Sequence, residues 1–117
     1  MKKIFLSYAM RDTDHTLLKR VRGWLENQNI ESYIDLLDNS YDIKTYQSKL
    51  LEVLKTCDGL LIIESEHYYD SKWTQIERNS AEKKRIPFIK ISPKEIIKAI
   101  EAQADFNEIE QRVLALI

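Results

Sequence analysis

The stretch from Gly59 to Glu77 constrains what this chain can fold into more than any other. Gly59-Leu60-Leu61-Ile62-Ile63 is an apolar run with the length and β-branched content of a fully buried strand. Such a strand belongs at the centre of a sheet. A few residues later comes Tyr68-Tyr69-Asp70-Ser71-Lys72-Trp73-Thr74-Gln75-Ile76-Glu77. Ser71 has the character of a helix N-cap, and Trp73 and Glu77 then fall four residues apart on one helical face. A carboxylate and a large aromatic ring therefore stand together just beyond the end of a central strand, where open α/β sheets bind ligands. An arbitrary Trp-x-x-x-Glu is more often a core Trp with a solvated Glu. The rest of the chain shifts that balance.

Lys3-Ile4-Phe5-Leu6-Ser7-Tyr8 reads as a short first strand, and Arg11-Asp12-Thr13-Asp14 supplies caps for the helix after it. That helix carries Leu17, Leu18, Val21, Trp24 and Leu25 on one stripe and ends at Asn27-Gln28-Asn29. Ile30 to Ile34 alternates apolar and polar, as a second strand nearer the sheet edge. Asp35 to Ser40 reads as a sizeable loop. A second helix turns Ile43, Tyr46, Leu50, Leu51, Val53 and Leu54 inward and ends near Thr56-Cys57-Asp58-Gly59. The helix bearing Trp73 and Glu77 runs to about Lys84, and Pro87 to Ile91 is a fourth strand.

Ser92-Pro93 opens another helix, with Ile96, Ile97 and Ile100 on its apolar face. A break at Gln103-Ala104-Asp105 precedes a last amphipathic segment with Phe106, Ile109, Val113, Leu114 and Ile117 inward. Strand and helix alternate four times, which predicts a doubly wound parallel sheet with helices on both faces. The sequence leaves open whether a fifth strand exists.

At 117 residues the chain is one domain, residues 1–117, with a single core. Its 18 Lys and Arg against 19 Asp and Glu give no electrostatic case for nucleic acid or an anionic membrane. No apolar run approaches the roughly 20 residues that span a bilayer. The N-terminus turns polar too soon for a signal peptide. The single Cys57 cannot form an internal disulfide, and cytoplasmic residence is the economical expectation. No metal-ligand spacing is visible. With only Gly23 and Gly59, glycine-rich phosphate loops are excluded. His15 and His67 read as isolated and exposed.

Four segments in series resemble a known family. Ile4-Phe5-Leu6-Ser7-Tyr8 followed by Arg11-Asp12-Thr13 resembles the opening strand and loop of Toll/interleukin-1 receptor (TIR) domains. Asn29-Ile30-Glu31-Ser32-Tyr33-Ile34-Asp35 is similar to that family's second strand, which ends in aspartate. Cys57 to Ser65 resembles its third strand, and Ser71-Lys72-Trp73-Thr74-Gln75-Ile76-Glu77 has the spacing of its Ser-x-Trp-x-x-x-Glu segment. The resemblance covers about residues 2 to 91 and implies a flavodoxin-like doubly wound sheet. The chain departs from the pattern at Thr74, where Cys is usual, and at Arg78, where Leu is usual. The loop after Asp35 also lacks the family's common proline and glycine.

The resemblance implies two activities. Some TIR domains hydrolyse or cyclise NAD+, breaking the bond between nicotinamide and ribose. Others are non-catalytic assembly modules. Nicotinamide is already a cationic leaving group, so one carboxylate that stabilises the oxocarbenium-like ribose and grips its hydroxyls suffices. Glu77 is the catalytic candidate, and no cofactor or metal is needed beside NAD+ as substrate. Trp73 is placed to stack on a base or nicotinamide face. Ser7, Tyr8 and Arg11 leave the first strand next to the third, with Arg11 a bidentate partner for the pyrophosphate. Asp35 reaches the rim of the same crevice. Each of these has a plainer reading as packing, capping or surface pairing, and Tyr68 and Tyr69 read as half-buried loop aromatics.

The module reading predicts homo-oligomers through TIR–TIR contacts, with Leu36 and Leu37 exposed as a contact patch. The two readings are not exclusive, since the family's enzymes commonly assemble to complete the pocket. In a defence or signalling pathway, a sensor or effector protein or a diffusible nucleotide product would carry the signal. A nucleoside deoxyribosyltransferase-like enzyme with a glutamate nucleophile fits the motif series less well. A response-regulator receiver lacks its acidic cluster here.

Overall fold

The computed structural model describes residues 1–38, 46–102 and 108–117. The elements run β1 (Lys2–Ser7), a 3-10 turn (Met10–Asp12), α1 (His15–Asn27), β2 (Ile30–Tyr33), α2 (Asp35–Asp38) and α3 (Tyr46–Lys55). They continue with β3 (Gly59–Ile63), a second 3-10 turn (Tyr68–Asp70), α4 (Lys72–Lys83), β4 (Phe88–Ile91), α5 (Pro93–Glu101) and α6 (Glu108–Leu116). The strands form one parallel sheet in the order β2-β1-β3-β4. Pairing of Ile4 with Gly59 and of Leu60 with Phe88 sets the register. The expected doubly wound α/β architecture is observed, with β1 and β3 inside the sheet. No fifth strand occurs among the described residues.

Alternation along the inner strands builds the two faces. Ile4 and Leu6 of β1 and Leu61 and Ile63 of β3 pack with α1, α5 and α6 in one core. Phe5, Leu60 and Ile62 pack on the other face with Leu50 and Leu54 of α3 and with Tyr68 and Ala81. Cys57 lies in this second core, where burial pushes its thiol up to about 11. By the same alternation, Ser7 at the end of β1 falls on the α3/α4 side. Chain order reverses between β1 and β3, so a topological switch point opens at their carboxyl ends.

Local signals account for the helix starts. Asp14 caps α1 through its bond from the Leu17 amide at 2.8 Å, and Ser71 caps α4. Ser92 and Glu95 form a reciprocal capping box on α5, with Pro93 in its first turn. No helix among the described residues is long and apolar enough to cross a membrane.

Some expectations need correction. Asp35 to Asp38 is a short helix, not loop, because its end is tied back: the Asp38 carboxylate accepts from the Ile34 amide at 2.8 Å and pairs with Arg22. Leu37 packs partly buried against the core, so it is not a free contact patch. Leu114 is 40% exposed rather than inward. Ile43, Phe106, residues 39 and 40 of the loop, residues 103–105 of the expected break, and the side chains of Leu36 and Tyr46 lie outside the described residues.

Gly59 shows how tightly α6 closes the molecule. A Cβ added there would lie 2.9 Å from Leu116 Cδ2 and 3.2 Å from Ile117 Cγ2. Gly59→Ala must therefore turn the ends of the Leu116 and Ile117 side chains aside, a small overpacking strain of about 1 kcal/mol. A lower urea midpoint with an unchanged slope is the expected result.

Candidate active site

The switch point holds a carboxyl group that water hardly reaches. Glu77, in the second turn of α4, is 5% exposed, and Ser7 is fully buried. Ser7 Oγ donates to Glu77 Oε1 at 2.7 Å and lies 2.7 Å from the Tyr68 hydroxyl. With Ser7 donating to the carboxyl, the Tyr68 hydroxyl is the donor to Ser7, giving a chain Tyr68–Ser7–Glu77. Burial pushes the Glu77 carboxyl up to about 8; the Ser7 bond opposes this, the negative Asp35 adds to it and Arg78 opposes it. Burial likewise raises the Tyr68 hydroxyl to about 12.

Asp35, at the start of α2, is 7% exposed and accepts from the Tyr33 hydroxyl at 3.4 Å. Burial, reinforced by that acidic neighbour, raises the Tyr33 hydroxyl well above the ordinary phenol range. Phe5 stacks on the Tyr33 ring at 5.3 Å. A cleft lined by Tyr8, Met10, Asp35, Ser71, Trp73 and Glu77 connects this group to solvent. Its volume is about 40 Å³, room for water and far below the roughly 300 Å³ of a small-molecule pocket. Met10 and Trp73, 56% and 41% exposed, are large apolar residues on the outer wall.

The structure brings Tyr8, Asp35, Trp73 and Glu77 to one cleft. Trp73 is not core. Ser7 reaches the site only through Glu77, because its burial leaves no surface for a substrate. Arg11 is exposed on the 3-10 turn and does not line the cleft.

Two side chains differ from the expectation drawn from sequence. Tyr68 is fully buried rather than a half-buried loop aromatic, and its bond to Ser7 links residues 61 positions apart, a relation no local pattern displays. Tyr69 beside it is 51% exposed. His67 is not isolated. Asp12 accepts from the Ser65 hydroxyl at 2.6 Å and the His67 amide at 2.7 Å, and lies 2.7 Å from His67 Nδ1. The hydroxyl of Ser65, with His67, holds the Asp12 carboxyl down at about 2. Asp12 is the hub of this cluster, so it clamps the loop after β1 to the loop after β3 and forms no nucleophile–base relay.

Ser7→Ala tests the chain of hydroxyls. It strips the carboxyl of a donor and leaves the Tyr68 hydroxyl without its acceptor, at a cost of about 1–3 kcal/mol. Because the Ser7 bond lowers the Glu77 carboxyl, its titration in a carbon-detected NMR experiment is expected to move above that of the parent. No group of three or more His, Cys, Asp or Glu among the described residues is placed to hold a metal.

No curated protein matches this chain. A family model, the TIR domain, matches residues 4–114, which takes in β2, β3, β4, all of β1 after Lys3 and the whole of the cleft. With the four-stranded parallel sheet and the Ser-x-Trp-x-x-x-Glu helix at its switch point, the chain belongs to the TIR-domain family.

Proposed function

We propose that the protein cleaves the nicotinamide–ribose bond of NAD+, with Glu77 as the catalytic carboxylate. The observation that carries this reading is a titratable carboxyl 5% exposed at the sheet's switch point, held by Ser7 and reached through a cleft. Nature places such desolvated acids at working sites far more often than elsewhere. The bond between ribose C1′ and the pyridinium nitrogen breaks heterolytically, and its electron pair leaves with neutral nicotinamide. Glu77 offsets the positive charge that develops on the ribose ring, most strongly where water is excluded. Water then attacks C1′ and loses a proton, or an adenine nitrogen does so and closes a ring.

The other residues fall into place around that step. Trp73 stacks on the nicotinamide as it swings with Met10 to widen the cleft, Asp35 stands at the rim, and Arg11 meets the pyrophosphate. The cationic ring favours the ionised form of Glu77 on arrival. The non-catalytic TIR–TIR module is the second reading, and the narrowness of the cleft favours it.

Incubation of the protein at high concentration with NAD+, followed by chromatography, separates the two. Released nicotinamide supports the enzyme, and the co-product, ADP-ribose or its cyclic form, tells hydrolysis from cyclisation. A folded protein that leaves NAD+ intact even when forced to oligomerise supports the module.

A further inference from the structure

A second cavity lies beside β4, on the sheet face that carries α3 and α4. Its volume is about 710 Å³, its floor is Leu60, Ile62 and Ile86, and it shares no lining residue with the Glu77 cleft. That size falls within the range of small-molecule sites. Along its wall, cations and rings alternate. The Arg78 guanidinium carbon sits 4.7 Å from the Tyr69 ring centroid, Lys90 Nζ sits 5.8 Å from the same ring, and it sits 5.9 Å from the Phe88 ring. Arg85 joins them at the mouth, and Glu82 is the acid among the lining residues. Lys90 Nζ is also 4.0 Å from Glu64, which accepts from the Tyr69 hydroxyl, but both charges are well solvated and pair weakly.

Arg78 sets the charge behind this wall. Its guanidinium lies between the Tyr68 ring at 5.1 Å and the Tyr69 ring at 4.7 Å, and one of its terminal nitrogens is closed off from solvent without a hydrogen-bond partner, so its charge is poorly screened there. It also stands where the family resemblance expects Leu, so the feature is this chain's own. The chain as a whole carries a formal charge of −1, so the three cations here are a local concentration. Phe88 is 55% exposed, a large aromatic ring held at the surface beside Lys90.

We propose that this groove binds a purine nucleoside 5′-phosphate, independently of the Glu77 cleft. The base stacks on Phe88, and the phosphate sits between the exposed Arg85 and Lys90 with the Arg78 charge behind them. An acidic peptide would use the cations but leave the rings idle, and the groove is sized for one nucleotide rather than a strand of nucleic acid.

The test is calorimetric titration of the full chain with AMP, inorganic phosphate and adenosine. AMP is expected to bind with a dissociation constant below about 1 mM, with phosphate and adenosine each at least about tenfold weaker. The double variant Arg85→Gln/Lys90→Gln, altered at two exposed side chains, should weaken AMP by at least about tenfold. Phe88→Ala should weaken AMP and adenosine but not phosphate, and Glu77→Gln should leave AMP unchanged. AMP binding lost in Glu77→Gln and kept in the double variant would place the nucleotide in the other cleft and overturn the proposal. Phosphate binding as tightly as AMP, or no AMP binding at millimolar concentration, overturns it as well.

Discussion

Glu77→Gln is expected to match the parent protein in stability near pH 4 and to exceed it by about 3 kcal/mol at pH 9. The sign follows from burial. In the unfolded chain this carboxyl ionises near 4.5, and in the folded protein near 8. Below 4.5 both states hold the proton, so the full stability is present. Between 4.5 and 8 the folded state holds a proton that the unfolded state has released, and stability falls as pH rises. Above 8 both are ionised and the loss is complete.

The full interval would correspond to roughly 5 kcal/mol, and partial relaxation of the site brings it down. Gln keeps the side-chain shape and the acceptor for Ser7, and cannot ionise. Urea denaturation of both proteins from pH 4 to 9 reads the difference directly, and other groups cancel in the comparison. Asp12 works in the opposite sense, adding stability that is lost only as pH falls toward about 2, outside this window. Parallel curves for the two proteins would mean that Glu77 is solvated.

The same substitution is expected to lower kcat/KM for NAD+ by at least about a thousandfold, since it removes the charge that opposes the developing oxocarbenium. In the parent, kcat/KM should climb with pH and level off above about 8, following ionisation of the Glu77 carboxyl in the free enzyme. Initial rates of nicotinamide release across pH 6 to 9.5 give the profile. A variant that is more stable and inactive separates a working carboxylate from a structural one, because a structural residue would lose both together.

Much of this was legible in the residues themselves. Gly59–Ile63 is apolar at every step because both faces of β3 are covered, and the strand lies between β1 and β4 as such a run requires. Ser71, Trp73 and Glu77 meet the cleft because capping and helical spacing are local properties. What stayed hidden was long-range. The partners of Asp12 lie 53 and 55 residues away, across two loops. Tyr68 and Tyr69 are neighbours in sequence and opposites in burial, because a 3-10 turn points one ring under α4 and the other into solvent. Ser7, at the end of the first strand, reads from sequence as a ligand contact, and the strand's alternation instead turns it inward to hold Glu77.

The most direct measurement sets the protein in excess over NAD+ and follows nicotinamide release, with Glu77→Gln beside it at the same pH and shown to be folded. The account predicts release by the parent and none within a thousandfold longer time by the variant. Equal release by the two proteins would contradict it.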